Sequence, residues 1–159
     1  LKFSIIAVGK LKEKYLKEGI AEYRKRLSRF CELEIIEVED EQAPDSLSAA
    51  QEAQIKKKEA ERIQKKIKDG SFVIALDLKG EKLDSTGFAR KLQSFFVSGN
   101  SNFTLLIGGS LGLDNELVKT AQFRLSLSDL TFPHQLTRLI LLEQLFRCFK
   151  IINGETYHK

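Results

Sequence analysis

Phe103-Thr104-Leu105-Leu106-Ile107-Gly108-Gly109-Ser110-Leu111-Gly112-Leu113 runs from an apolar strand directly into a glycine-rich turn. A strand that is apolar at consecutive positions has both faces covered, as in a parallel sheet between helix layers. Ser71-Phe72-Val73-Ile74-Ala75-Leu76-Asp77 has the same character. Around these two strands, the signals alternate along the chain. Leu1 to Val8 reads as a strand ending at Gly9. Residues 11–28 place Leu11, Tyr15, Leu16, Ile20, Tyr23 and Leu27 at the spacings of an amphipathic helix. Leu33 to Val38 alternates apolar and acidic residues, giving another strand. Ser46 or Ser48 caps a long helix to about Lys68, and Asp84 or Ser85 caps one to about Val97. A short helix near Asp114–Thr120 and a short strand near Phe123–Ser126 lead to a loop, Leu127 to Pro133. Pro133 then opens the last helix, His134 to Phe149. The pattern predicts an α/β protein with a mostly parallel sheet flanked by helices. It predicts one domain over residues 1–159, with no internal repeat or linker.

Composition narrows the function classes. With 42% apolar and 30% charged residues in 159, the chain is globular and large enough for one real core. The 2 cysteines, Cys31 and Cys148, support neither a disulfide framework nor a four-ligand zinc site, and the 2 histidines, His134 and His158, suggest no metal. No apolar run is long enough to span a membrane, and no signal-peptide pattern is present, so a soluble cytoplasmic protein is expected. The net charge of +4 conceals segregation. Residues 10–29 carry eight basic and three acidic residues (+5), residues 32–45 carry seven acidic and no basic ones (−7), and residues 50–69 carry seven basic and four acidic (+3). These runs read as solvated helix faces or as a basic surface for a phosphate backbone. Aromatic residues are not expected to interleave with the lysines, which argues against base stacking there.

The turn at Val8-Gly9-Lys10-Leu11 matches neither the dinucleotide fingerprint nor a phosphate loop, and no G-x-S-x-G elbow occurs. A conventional dehydrogenase, NTPase or hydrolase is disfavoured. Chemistry must therefore come from the second half of the chain. The Gly108–Gly112 turn follows a buried strand, where open α/β sheets bind ligands and glycine lets backbone approach them. A tight strand-to-helix connection without a ligand explains it equally well. Leu127 to His134 mixes apolar walls, Leu130 and Phe132, with polar turn residues. It can hold a heterocycle or simply form a helix entry. The last helix is apolar all round its axis, which favours a homodimer covering part of it. Glu143 and Arg147 are spaced as an i,i+4 pair, whereas Arg138 has no obvious partner and is a candidate for binding an anion. Tyr157-His158-Lys159 brings together a stacking ring, a base titrating near neutrality and a phosphate-binding cation.

Ile107-Gly108-Gly109-Ser110-Leu111-Gly112-Leu113, Leu125-Ser126-Leu127-Ser128, Thr131-Phe132-Pro133-His134-Gln135-Leu136-x-Arg138, Glu143-Gln144 and the terminal Tyr157-His158-Lys159 closely resemble the ribosomal RNA large subunit methyltransferase H family. Ala7-Val8-Gly9-Lys10 and Glu22-Tyr23-x-x-Arg26 resemble it too, so the likeness covers essentially the whole chain. These are small SPOUT-class enzymes acting on N3 of a pseudouridine in large-subunit (23S) ribosomal RNA. The resemblance implies a C-terminal trefoil knot, an S-adenosylmethionine site and an obligatory homodimer. Carried over by position, the cofactor contacts would be Leu76, Gly108 and the loop Leu127, Ser128, Asp129, Leu130, Thr131 and Phe132. Among His134, Arg138, Tyr157 and His158, which the sequence leaves open as the base, His158 is the first choice, with Tyr157 as the stacking or orienting ring and Arg138, with Lys159, for negative charge. No metal would be needed. So small an enzyme would recognise the assembled ribosome, using its basic helices for phosphates. The rival readings are a non-enzymatic ribosome- or RNA-binding α/β module, and a dimeric α/β enzyme for another nucleotide.

Overall fold

The computed structural model describes residues 1–159. Five strands form one sheet in the order β2-β1-β4-β3-β5: β1 Lys2–Val8, β2 Glu32–Val38, β3 Phe72–Lys82, β4 Asn102–Ile107 and β5 Phe123–Ser126. Every pairing is parallel, with Phe3 opposite both Leu33 and Phe103. The helices are α1 Lys14–Leu27, α2 Ala49–Gln64, α3 Ser85–Val97, α4 Asn115–Lys119 and α5 His134–Ile152.

Strand alternation sorts the core onto two faces. Phe3, Ile5 and Ala7 of β1 join Phe103, Leu105 and Ile107 of β4 beneath α1, α3 and α5. Ile6 and Val8 point the other way, onto Ala60 and Ile63 of α2 and Leu117 and Val118 of α4. The first face is aromatic: Phe3 stacks on Phe103 with centroids 5.0 Å apart, and Phe30 stacks on Phe149 at 5.2 Å. The second is aliphatic. Because β1 lies inside the sheet, it is covered on both faces, like β4.

Capping fixes the helix starts. Ser48, not Ser46, caps α2 in a reciprocal capping box with Gln51, and Asp84, not Ser85, caps α3 by accepting from Gly87 N at 2.7 Å. Four boundaries differ from those expected. α1 begins at Lys14 because Leu11 N donates to Glu37 and Lys12 N to Gln135, which draws those amides away from a helix. α2 stops at Gln64, where Lys66 N and Ile67 N make tighter bonds to Ile63 O and Gln64 O. α5 continues to Ile152 and closes at Gly154, whose positive φ of 66° lets Glu155 N reach Lys150 O. β3 continues past Asp77 to Lys82. It bulges after Leu76, then Glu81 and Lys82 rejoin β5 opposite Leu125 and Ser126. Gly80 is required there, since a Cβ would lie 2.8 Å from the Arg124 carbonyl carbon.

The acidic segment is largely neutralised by the fold. Glu32 pairs with Lys2, Glu34 with Lys68, Glu37 with Arg138 and Glu41 with Arg62. No helix is long and apolar enough to cross a membrane.

Candidate active site

A cavity of about 490 Å³ opens beyond the carboxyl ends of β3, β4 and β5. That volume suits a small-molecule cofactor. Its floor is the Ile107–Gly112 turn, and one wall is the bulge of β3. The opposite wall is the loop after β5 with the first turn of α5, including His134 and Thr137. Gly108 is indispensable to the floor: a Cβ there would fall 2.6 Å from the carbonyl carbon of Gly112. The turn closes through Gly112 N donating to Gly109 O at 3.0 Å.

Behind the turn sits a residue the sequence did not single out. Glu59 of α2, only 5% exposed, lies where a Cβ on Gly109 would be 3.4 Å from its carboxylate. It accepts from Glu41 N, and burial pushes its carboxyl above the usual range. No local spacing links Glu59 to Gly109; only the packing of α2 on the sheet does.

Leu76, Gly108, Leu127, Ser128, Leu130, Thr131 and Phe132 all line the cavity. Asp129 is not among the lining residues; its carboxylate pairs with Lys82. Ser128 makes the turn instead, its Oγ accepting from Leu130 N at 3.0 Å. Leu130 is 70% exposed at the mouth.

Arg138, with no obvious partner in the sequence, has several in the fold. It is 2% exposed, and Nη1 donates to Glu37 at 2.6 Å. Nη2 donates to Val8 O at 3.2 Å and Gly9 O at 2.6 Å. The residue therefore has partners, and they hold the start of α5 against β1 and β2. Its guanidinium is not presented to an anion. Burial opposes ionisation of Glu37, but the bonds from Arg138 and Leu11 N outweigh it and hold that carboxyl below its usual range. His134 stands beside this strut, and burial followed by the Arg138 charge lowers its pKa, so its imidazole is neutral at pH 7.

The tail is docked on its own subunit. Tyr157 Oη donates to Glu143 at 3.2 Å and lies 3.4 Å from Tyr23 Oη, while its ring meets Phe146 edge-on at 5.0 Å. Burial and these neighbours push the phenol up to about 12. Arg147 pairs with Glu143 at 2.9 Å, as their spacing suggested, and contacts His158 Nδ1 at 3.1 Å. Neither Tyr157 nor His158 lines the cavity of its own chain. Nucleophilic thiolate chemistry has no support, since burial raises Cys31 to about 11 and Cys148 to about 12. No group of three or more His, Cys, Asp or Glu residues is placed to hold a metal.

On the surface, Tyr15 of α1 is 63% exposed among Lys10, Lys12, Lys14 and Lys17. An aromatic residue does interleave with these lysines, contrary to the sequence expectation. Gln135, next to His134, holds this basic entry loop through Lys12 N and Lys10 O.

A glycine-floored cavity at the carboxyl ends of the strands, with no lysine or arginine lining it, stands where parallel α/β enzymes bind their ligands. The family model described as predicted SPOUT methyltransferase matches residues 1–158. The ribosomal RNA large subunit methyltransferase H of Acetivibrio thermocellus is 66% identical over 159 residues, covering all of both chains. The protein of the same name from Ruminiclostridium cellulolyticum is 64% identical, again covering all of both chains. A solved probable methylase family protein from Haemophilus influenzae Rd KW20 shares the fold, with a TM-score of 0.51 at 16% identity over 99% of this chain and 70% of that one. The chain belongs to the SPOUT methyltransferase family, in the group named ribosomal RNA large subunit methyltransferase H.

Proposed function

We propose that this methyltransferase uses S-adenosylmethionine to methylate N3 of a pseudouridine in large-subunit (23S) ribosomal RNA, as a cytoplasmic homodimer acting on assembled ribosomes. The observation that carries the reading is the cavity, in a chain whose relatives are named for large-subunit ribosomal RNA. Its floor is main chain that no side chain can enter at Gly108, and no cation lines it to attract the phosphates of NAD or ATP. These features fit S-adenosylmethionine, which when bound supplies an already activated methyl group. Gly108 and the backbone from Leu127 to Phe132 hold its adenine and methionine parts, with Leu76 beside them.

The protein's task is alignment and proton removal. N3 of a uracil-type ring holds its proton well above neutrality. His158 is the base, and Tyr157 orients the ring. Lys159 serves the negative charge nearby, while Arg138 acts through the position of α5 rather than at the reacting atoms. Because the tail lies outside its own cavity, Tyr157 and His158 of the partner subunit complete each site. Exposed Leu78 and Leu130 at the mouth support a covering partner. We also infer the trefoil knot, supported by membership of the SPOUT family and by the β3–β5 pairing that resumes at Glu81 after the bulge. Lys10, Lys12 and Lys17 with Tyr15, and Lys56–Lys58 of α2, supply the basic surface for ribosomal phosphates.

Thermal shifts with S-adenosylmethionine and S-adenosylhomocysteine, and none with NAD or ATP, are the expected ligand result. Labelled methyl transfer should then favour ribosomes from a strain lacking this protein over naked ribosomal RNA. Equal rates on the two substrates would remove the assembled ribosome from the proposal.

A further inference from the structure

Of 18 residues lining the cavity, Asp77 is the only carboxylate, and no lysine or arginine is among them. The other titratable side chain there is His134, which burial and Arg138 keep neutral. No cation in the lining offsets the Asp77 carboxylate.

Asp77 sits in the bulge where β3 leaves Leu125 and has not yet rejoined it at Glu81. Lys79 N donates to its Oδ1 at 3.1 Å, which orients the carboxylate through one oxygen. No cationic side chain pairs with it. The neighbouring cations are engaged elsewhere: Lys82 pairs with Asp129 and Lys91 with Glu81.

We infer that Asp77 is the counter-ion for the cationic methionine end of the cofactor, selecting a positively charged ligand over a neutral nucleoside. This rests on S-adenosylmethionine being the cofactor. That molecule has two positive centres, the sulfonium and the α-ammonium, and the cavity offers one fixed anion to them. A phosphate-bearing nucleotide would meet a carboxylate of its own sign. The bulge therefore has a use beyond shape, since a straight β3 would continue pairing with β5 through the residues that now present this carboxylate.

The test is calorimetric binding to the purified full chain and to Asp77→Asn, with S-adenosylmethionine, S-adenosylhomocysteine and 5′-methylthioadenosine. The variant should weaken S-adenosylmethionine about tenfold or more and leave methylthioadenosine, which has neither positive centre, within twofold. A loss shared equally by S-adenosylhomocysteine assigns the contact to the ammonium; a loss confined to S-adenosylmethionine assigns it to the sulfonium. Equal weakening of all three, or of none, overturns the inference. An unchanged thermal midpoint without ligand, and recovery in Asp77→Glu, separate this from a folding defect. If the wild-type chain binds none of the three ligands, the cofactor reading itself fails.

Discussion

The two ends of α5 are held in opposite ways. At its start, Arg138 is buried on main-chain carbonyls of β1 and on Glu37 of β2, and Gln135 bonds main chain on either side of Leu11. Beyond its end, Tyr157 and His158 rest on side chains of Tyr23, Glu143 and Arg147. Main-chain carbonyls cannot turn away without breaking the sheet, whereas side chains can change rotamer. The end that walls the cavity is thus fixed by the fold, and the end carrying the proposed base is held by contacts that can be exchanged.

The harshest way to break this contrast is Arg138→Met. It leaves Glu37 without its cation and removes the donors to Val8 O and Gly9 O, so a stability loss of about 3 kcal/mol is expected in urea denaturation. A loss below about 1 kcal/mol would show that the start of α5 is no firmer than the tail. Next comes His158→Ala, which should change stability by less than about 0.5 kcal/mol. Methyl transfer to ribosomes should fall on the order of 100-fold. A wild-type rate would remove His158 as the base.

The smallest expected effect is a pH dependence confined to the firm end. Glu37 and His134 both have folded values below their ordinary ones. Each therefore stabilises the fold above its ordinary value, and that stability is lost as pH falls through the folded value. For His134 the loss begins near pH 6.5, and for Glu37 near 4.3. Glu37→Gln should cost roughly 1 kcal/mol at pH 7 and abolish only the lower limb of the profile. An unchanged lower limb would show that the Glu37 pair does not anchor the helix.

The alternation of strands and helices was legible because it depends on local period and on caps such as Ser48 and Asp84. The extension of β3 was not. Lys79-Gly80-Glu81-Lys82 has no apolar alternation, and its pairing comes from main chain that Gly80 allows to approach. Within the site, the glycine turn and the loop after β5 were visible as motifs. Their walls were not, because Asp77 and His134 acquire meaning only from the cavity they share. The partner of Arg138 lies 101 positions away in sequence, so an arginine that looked free proved committed. Asp129 illustrates the reverse: neighbours in one loop face different ways, and Ser128 makes the turn while the aspartate pairs with Lys82.

The strand order also sets a timetable for synthesis. β1 pairs with β2 soon after both emerge, but its other edge is filled by β4, which begins at Asn102. Until then Phe3 and Ile5 lack the strand and the α5 surface that bury them, and the nascent chain presents an open parallel edge. Such long-range pairing is slow to form and exposed to aggregation. Nor can α5 seal the aromatic face before Phe146 and Phe149 are made, so completion of the core waits until every strand of the sheet has been made.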